Sequence, residues 1–340
     1  MDDAEVMSAR LERFFAEAEP DVADISVLNY EPMIGGYSRV MAQFDLRWRR
    51  AGREEVRRLV FRADPPPDRA GFHTNRRTEW DILSHLAASA AVSVPKPHWY
   101  SDGRHLGSPA IVMDFIPSTS LLSHISGRDD LGSDVVRLAD VAAAIHGVDT
   151  ACLPSSVIHP GDSETYLTER IAEWASTERA HSESDPFLRY VGAWLSTHRP
   201  PLVPLTLIHG DFQSANLIVS PDGAWSVVDW EFARIGDPRE DLGYFRGVAA
   251  VAGPDLIAAD APAFCARYRE LTGLTEEQLN PAVIRYFTIL GMTTVLGQIL
   301  AQKAALARGE LCSIGSFYVA NAVSYAHMQQ LAIITELEGA

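Results

Sequence analysis

Residues 207–242, LIHGDFQSANLIVSPDGAWSVVDWEFARIGDPREDL, decide how this chain is read. An apolar run at 205–208 has the form of a short strand and delivers the chain to His209-Gly210-Asp211. Asn216 follows Asp211 by five positions. Pro221-Asp222-Gly223 is a strong turn signal, so residues 216–220 and 224–230 are expected to pair as a hairpin. At the far end of that hairpin stands Asp229. Asp237-Pro238-Arg239-Glu240 then matches a helix start, with Asp as N-cap, Pro at N1 and Glu at N3, and a capping box explains it without chemistry. Glu231 suits a metal or acceptor contact equally with an ion pair to Arg234 or another base.

Toward the N-terminus the pattern is strand-rich. Ile34-Gly35-Gly36-Tyr37-Ser38 is a glycine turn, after which Val40, Ala42, Phe44, Leu46 and Trp48 alternate with more polar positions, the period of a half-buried strand. Ala51-Gly52 turns the chain into a third strand over 56–62. Trp80, Leu83, Leu86 and Ala87 are spaced as one face of a helix over 75–90, and a continuous apolar strand is expected over 110–115. Beyond Pro117 helical spacing dominates, over 134–146, 164–175, 186–197, 261–271, 281–307 and 316–337. The expectation is an α+β fold of two lobes like that of the protein kinases: an N-terminal nucleotide-binding lobe of antiparallel sheet over 1–116, and a larger, mainly helical lobe over 117–340.

Phosphoryl transfer needs metal ions on the phosphates, positive donors and a group that orients the attacking hydroxyl. Asp211 suits the last role, and Asn216 and Asp229 offer the hard oxygens that magnesium prefers. An isolated HGD triplet means little; the two spacings with a hairpin between them carry the reading. At these residues the chain resembles the aminoglycoside phosphotransferase family, whose HGDxxxxN and D-x-(D/E) motifs correspond to the HRDxxxxN and DFG of protein kinases. The resemblance implies Asp211 as the catalytic Asp, with Asn216 and Asp229 as metal ligands. The wording Asp229-Trp230-Glu231, followed by Gly236 to Leu242, resembles the branch that includes the kinase-like domain of acyl-CoA dehydrogenase family members.

In the first lobe, Gly35 and Gly36 would let a loop approach nucleotide phosphates, with Ser38 offering a hydroxyl, although a plain turn explains them as well. The third strand ends on Arg62 where kinases place a lysine; Lys96 and Lys303 are the lysines of this chain, and neither lies on that strand. Arg62 is therefore expected to pair with Glu79 and reach the phosphates. The carbonyl of Asp114 and the N–H of Ile116 are the expected partners of the base edge, which leaves ATP and GTP undecided. His209 and His146 read as structural.

The formal net charge is -16, which argues against a nucleic-acid backbone as partner. Residues 1–116 hold 18 acids and 15 bases, leaving 27 and 14 for the rest; an acidic second half suits a cationic substrate or plain solubility. The acidic, amphipathic N-terminus is the reverse of a signal peptide, and the apolar run 286–301 falls short of a span of ~20 residues, so a cytoplasmic protein away from membranes is expected. Cys152, Cys265 and Cys312 form no CxxC pair. Together these readings predict a phosphotransferase that moves the γ-phosphoryl of ATP or GTP, with Mg2+, to a small-molecule hydroxyl. The acceptor is a hydroxy acid or hydroxyacyl compound on the branch resemblance, or an aminoglycoside or other cationic alcohol. A nucleotide-binding pseudokinase module is the reading from another class.

Overall fold

The structure, a computed structural model, describes residues 3–33, 40–64, 75–181, 186–310 and 314–339. In chain order the elements begin with α1 (Asp3–Ala18), β1 (Val22–Pro32), β2 (Val40–Arg50), β3 (Arg53–Ala63), α2 (Arg76–Ser89), β4 (Pro97–Ser101) and β5 (Ala110–Asp114). Next come β6 (Thr119–Ser120), α3 (Leu121–Ile125), α4 (Gly132–His146), α5 (Ser163–His181), α6 (Pro186–Thr197), β7 (Thr206–Ile208), β8 (Leu217–Val219) and β9 (Trp225–Val227). The chain closes with β10 (Arg234–Gly236), α7 (Arg239–Ala252), α8 (Leu256–Ala259), α9 (Ala261–Thr272), α10 (Pro281–Ala307) and α11 (Ile314–Glu338). Two compact units result. The first comprises Met1–Thr119, Leu153–Val157 and Ile218–Phe232; the second comprises Ser120–Cys152, Ile158–Leu217 and Ala233–Ala340.

The first unit is built on an antiparallel sheet in the order β1-β2-β3-β5-β4. The alternation seen in β2 is real: Ala42, Phe44, Leu46 and Trp48 are buried, while the residues between them face outward or lie half-buried. Leu11, Phe14 and Phe15 of α1 close over that face, joined by Leu59, Phe61 and Val112. Burying apolar surface of this kind contributes roughly 1.5–3 kcal/mol per large side chain. Pairing of Arg62 with Ile111 and of Ala63 with Ala110 fixes the end of β3 in register with β5. Helix α2 starts where the sequence places it, because Asn75 accepts the N–H groups of Arg77 at 3.0 Å and Thr78 at 3.3 Å. It stops at Ala90, whose φ of +52° ends the helical turn. The segment carrying β9 is tied to the loop after α2: the Val227 N–H donates to the Ser93 carbonyl at 2.8 Å, and the hydroxyls of Ser93 and Ser226 lie 2.8 Å apart.

The second unit is mainly helical. Its core joins Leu167 and Ile171 of α5, Trp194 and Leu195 of α6, Tyr286, Phe287 and Leu290 of α10, and Ile334 of α11. Gly243 lets α7 lie directly on α10: a Cβ there would come 2.5 Å from the Phe287 carbonyl oxygen. The apolar run 286–301 belongs to α10, whose Tyr286, Phe287, Ile289 and Leu290 join that core, and no described helix is long and apolar enough to cross a membrane. Strands β7 and β10 pair antiparallel, Ile208 with Arg234 and Leu207 with Ile235. Strand β10 has no counterpart in the sequence reading, since three residues are too few to show a period.

Candidate active site

Strand β7 ends at Ile208, and the chain then turns sharply through His209 and Gly210. Gly210 has φ +79°, a conformation in which a side chain is strained and glycine is not. This turn aims two successive backbone N–H groups at one carboxylate: Asp241 on α7 accepts from His209 N at 2.7 Å and from Gly210 N at 2.9 Å. Asp241 also receives the Nε2–H of His146 at 3.1 Å, and His146 Nδ1 accepts the Tyr268 hydroxyl at 2.6 Å. All of these side chains are buried. Burial by itself would raise the Asp241 carboxyl, but the hydrogen bonds from His146 and from the His209 backbone outweigh it and hold the group below the ordinary carboxylate range. His209 is fully buried and uses Nδ1 to accept the Asp211 N–H at 3.2 Å. The His209 imidazole thus bonds nearby backbone, and that of His146 lies in the buried network of Asp241 and Tyr268.

Asp211 emerges from this anchored turn with both oxygens engaged. Gln213 Nε2 donates to Oδ1 at 2.7 Å and Asn216 Nδ2 donates to Oδ2 at 2.7 Å. Asn216 Nδ2 also reaches the Asp211 carbonyl at 2.9 Å, which fixes its amide nitrogen on Asp211 and turns its oxygen elsewhere. Orienting bonds of this kind leave a carboxylate able to accept a further proton-bearing group.

The charges of the first unit gather at Arg62. Its Nη1 lies 2.5 Å from Glu79 Oε1, its Nη2 bonds Asp229 Oδ1, and Glu231 Oε2 is 3.4 Å from the same nitrogen. Arg62 is 4 % exposed, so these contacts are made away from water, where they are strong. Burial would lower the guanidinium's pKa, yet Glu79 and Asp229 overcome it and leave Arg62 above its usual value. Asp229 stands at φ +69°, a left-handed conformation uncommon outside glycine and one that clusters at functional sites. The expected Arg62–Glu79 pair is present, buried rather than at the surface.

Glu231 lies 3.4 Å from Arg62, while Arg234 bonds Glu240 at 2.8 Å. The expected capping box does not form: α7 begins at Arg239, so Pro238 and not Asp237 holds the N-cap position, and it has no side chain to cap with. Asp237 accepts the Arg239 N–H at 3.0 Å and grips its guanidinium, but Glu240 does not turn back. It takes the Tyr166 hydroxyl at 2.5 Å and the guanidinium groups of Arg170 and Arg234, because three side-chain donors outcompete one backbone N–H. Asp114 directs its carboxylate to His98 Nε2 at 2.6 Å and its N–H to the Lys96 carbonyl, while the Ile116 carbonyl accepts the Ser118 hydroxyl at 2.9 Å. Gly35, Gly36 and Ser38 lie outside the described residues.

Three groups escaped the sequence reading: Asp241, Gln213 and Arg76. Asp241 was hidden beside the apparent capping box, and Gln213 inside the HGDxxxxN spacing. Arg76, at the start of α2, bonds Glu79 through Nη1 and Asp64 twice, through Nη2 at 2.5 Å and Nε at 2.9 Å. Its signal was present as an Arg three residues before Glu79 on a helix.

Residues 42–279 match the phosphotransferase enzyme family, also called APH. The chain belongs to this family. Among curated relatives, acyl-CoA dehydrogenase family member 10 of Mus musculus is 29% identical over 195 residues, 55% of this chain and 18% of that protein. Family member 11 of Homo sapiens is 27% identical over 165 residues, 46% of this chain and 21% of that protein. The chain thus spans about a fifth of the length of these relatives. Among solved structures, a putative aminoglycoside phosphotransferase from Ralstonia eutropha has a TM-score of 0.71 at 19% identity, covering 96% of this chain and 98% of that one. A thermostable mutant of aminoglycoside phosphotransferase APH(4)-Ia, in ternary complex with ADP and hygromycin B, has a TM-score of 0.57 at 17% identity, covering 95% and 97%. These family relationships bear out the α+β, kinase-like fold read from residues 207–242.

Proposed function

We propose that this phosphotransferase moves the γ-phosphoryl group of ATP or GTP to a hydroxyl of a small molecule, with Asp211 as the group that orients the hydroxyl and receives its proton. The observation that carries the proposal is the construction around Asp211. Its carboxylate is set by Gln213 and Asn216, on a turn whose two N–H groups are held by the buried Asp241. An acceptor oxygen placed against Asp211 loses its proton to the carboxylate as its bond to the γ-phosphorus forms and the bond from that phosphorus to the β–γ bridging oxygen breaks, the nucleoside diphosphate leaving with that oxygen; proton transfer of this kind contributes about 10²–10⁴-fold. Arg62 supplies positive charge for the phosphates.

A divalent cation suits the donors present. In the first unit Asp229 offers a carboxylate, and in the second Asn216 offers an amide oxygen that its own hydrogen bonds turn away from Asp211; both are the hard oxygen donors magnesium prefers, and the family motif is what names them as ligands. When bound, magnesium would neutralise charge on the phosphates.

The likeness to acyl-CoA dehydrogenase family members favours a hydroxy-acid or hydroxyacyl acceptor. The acidic second half and the solved phosphotransferases favour a cationic alcohol such as an aminoglycoside. Arg62 in place of lysine favours a pseudokinase. Incubating the protein with ATP, Mg2+ and paired panels of hydroxyacyl thioesters and aminoglycosides, with mass detection of phosphorylated product, separates all three. Product from the first panel supports the hydroxyacyl reading and product from the second the cationic one. Saturable nucleotide binding without product from either leaves the pseudokinase.

A further inference from the structure

We propose that Arg76 is a positioning residue for phosphate recognition: it holds Glu79 so that Arg62 keeps one corner of its guanidinium on α2 and presents the opposite edge to nucleotide phosphate oxygens. The inference rests on the nucleotide-dependent reading above and assigns a role to a residue outside the family motifs.

Glu79 is shared. Its Oε1 accepts from Arg62 Nη1 at 2.5 Å and its Oε2 from Arg76 Nη1, so each oxygen serves one arginine. Arg76 is in turn fixed by Asp64 at the end of β3, through Nε at 2.9 Å and Nη2 at 2.5 Å. Arg76 and Glu79 are almost completely buried. A carboxylate bonded to one guanidinium would largely cancel its charge. Shared between two, Glu79 cancels neither in full; Asp229 and, at 3.4 Å, Glu231 also face Arg62 Nη2, so Arg62 has positive charge for a phosphate once Asp229 leaves that nitrogen.

Geometry says where that anion goes. Nε and Nη2 share one edge of a guanidinium, the edge that matches two oxygens of a phosphate. On Arg62, Nη2 bonds Asp229, whereas Nε is buried and has no hydrogen-bond partner among the described residues. Nη1, which points to α2, is the corner that can stay in place. A phosphate taking Nε and Nη2 displaces Asp229 from Nη2 and releases that carboxylate for a cation. A lysine has one nitrogen for all of these partners; the fork of an arginine divides them. Arg62 therefore works as a phosphate ligand only while Glu79 holds Nη1, and Glu79 is held by Arg76.

The test is calorimetric titration of the purified chain with ATP·Mg2+, with ADP and with adenosine, for wild type, Arg76→Gln, Arg76→Lys, Arg62→Gln and the Arg62→Gln/Arg76→Gln double variant. The expected result is a loss confined to phosphate-bearing ligands, about tenfold or more for Arg76→Gln, with adenosine affinity unchanged and no further loss on adding Arg76→Gln to Arg62→Gln. Arg76→Lys, which keeps the charge and loses the fork, should recover part of the affinity. It also stands in if Arg76→Gln does not fold, its loss then being confined to ATP and ADP. Equal losses for adenosine and ATP, or additive losses in the double variant, would overturn the inference while leaving nucleotide binding intact. Failure of the wild type to bind ATP better than adenosine would instead overturn the reading beneath it.

Discussion

Replacing Asp241 with asparagine removes one charge and changes little in shape, which makes it a sharp probe of the anchored turn. The carboxylate accepts three N–H groups, from His209, Gly210 and His146, at 2.7, 2.9 and 3.1 Å. An asparagine keeps one acceptor oxygen and sets an NH2 group where the other stood, so at least one backbone donor faces another donor. Hydrogen bonds to a charged group contribute about 1.5–3 kcal/mol, and a buried donor left unpaired costs a further ~1–3 kcal/mol. The expected destabilisation is therefore roughly 3–5 kcal/mol, the range for breaking a buried charged pair. Asp211 lies one residue beyond Gly210, and displacement of a reacting group by an ångström costs on the order of 10²-fold in rate. Hydrogen exchange at the His209 and Gly210 amides, followed by mass spectrometry, reads the local effect directly. Protection at both should collapse in Asp241→Asn while strands β2 and β3 keep theirs. Unchanged protection at these amides, or a stability change below about 0.5 kcal/mol, would refute the reasoning.

Three further outcomes are expected. Because the folded-state carboxyl of Asp241 is held below the unfolded value of about 3.9, its contribution is complete above that pH and is lost as pH falls through the depressed value; Asp241→Asn should flatten this acid limb in a pH series of unfolding midpoints. Gly243→Ala forces a methyl group against the Phe287 and Thr288 backbone, so α7 and α10 must separate, with a cost of about 1–3 kcal/mol readable in thermal unfolding. Burial pushes the Cys265 thiol up to about 11, so mass-mapped alkylation at pH 8 should modify Cys265 only after unfolding; early modification of the native protein would contradict its placement.

The parts of this fold that sequence displays are those with local causes. The alternation of Phe44, Leu46 and Trp48, the Asn75 cap and the Pro221-Asp222-Gly223 turn each act within a few residues, and each is found where its pattern lies. Asp211 and Asn216 are likewise legible because their bond spans five residues. Asp241 is not, since its partners are 31, 32 and 95 residues away and a carboxylate in a helix's first turn has an adequate local explanation. The misreading of Glu240 has the same origin: a capping box was chemically sufficient, but Tyr166, Arg170 and Arg234 come together only in the folded unit. For Arg62 the residue itself drew attention as a departure from lysine, while its division among Glu79, Asp229 and Glu231 requires β3, α2 and the end of the hairpin to be assembled.

The central claim, phosphoryl transfer through Asp211, is tested most directly by single-turnover transfer from ATP labelled at the γ-phosphoryl group, comparing wild type with Asp211→Asn on whichever hydroxyl compound accepts label. The account predicts labelled product from the wild type and a rate lower by about 10²-fold or more in the variant, with ATP affinity retained. Transfer by Asp211→Asn at the wild-type rate would contradict it.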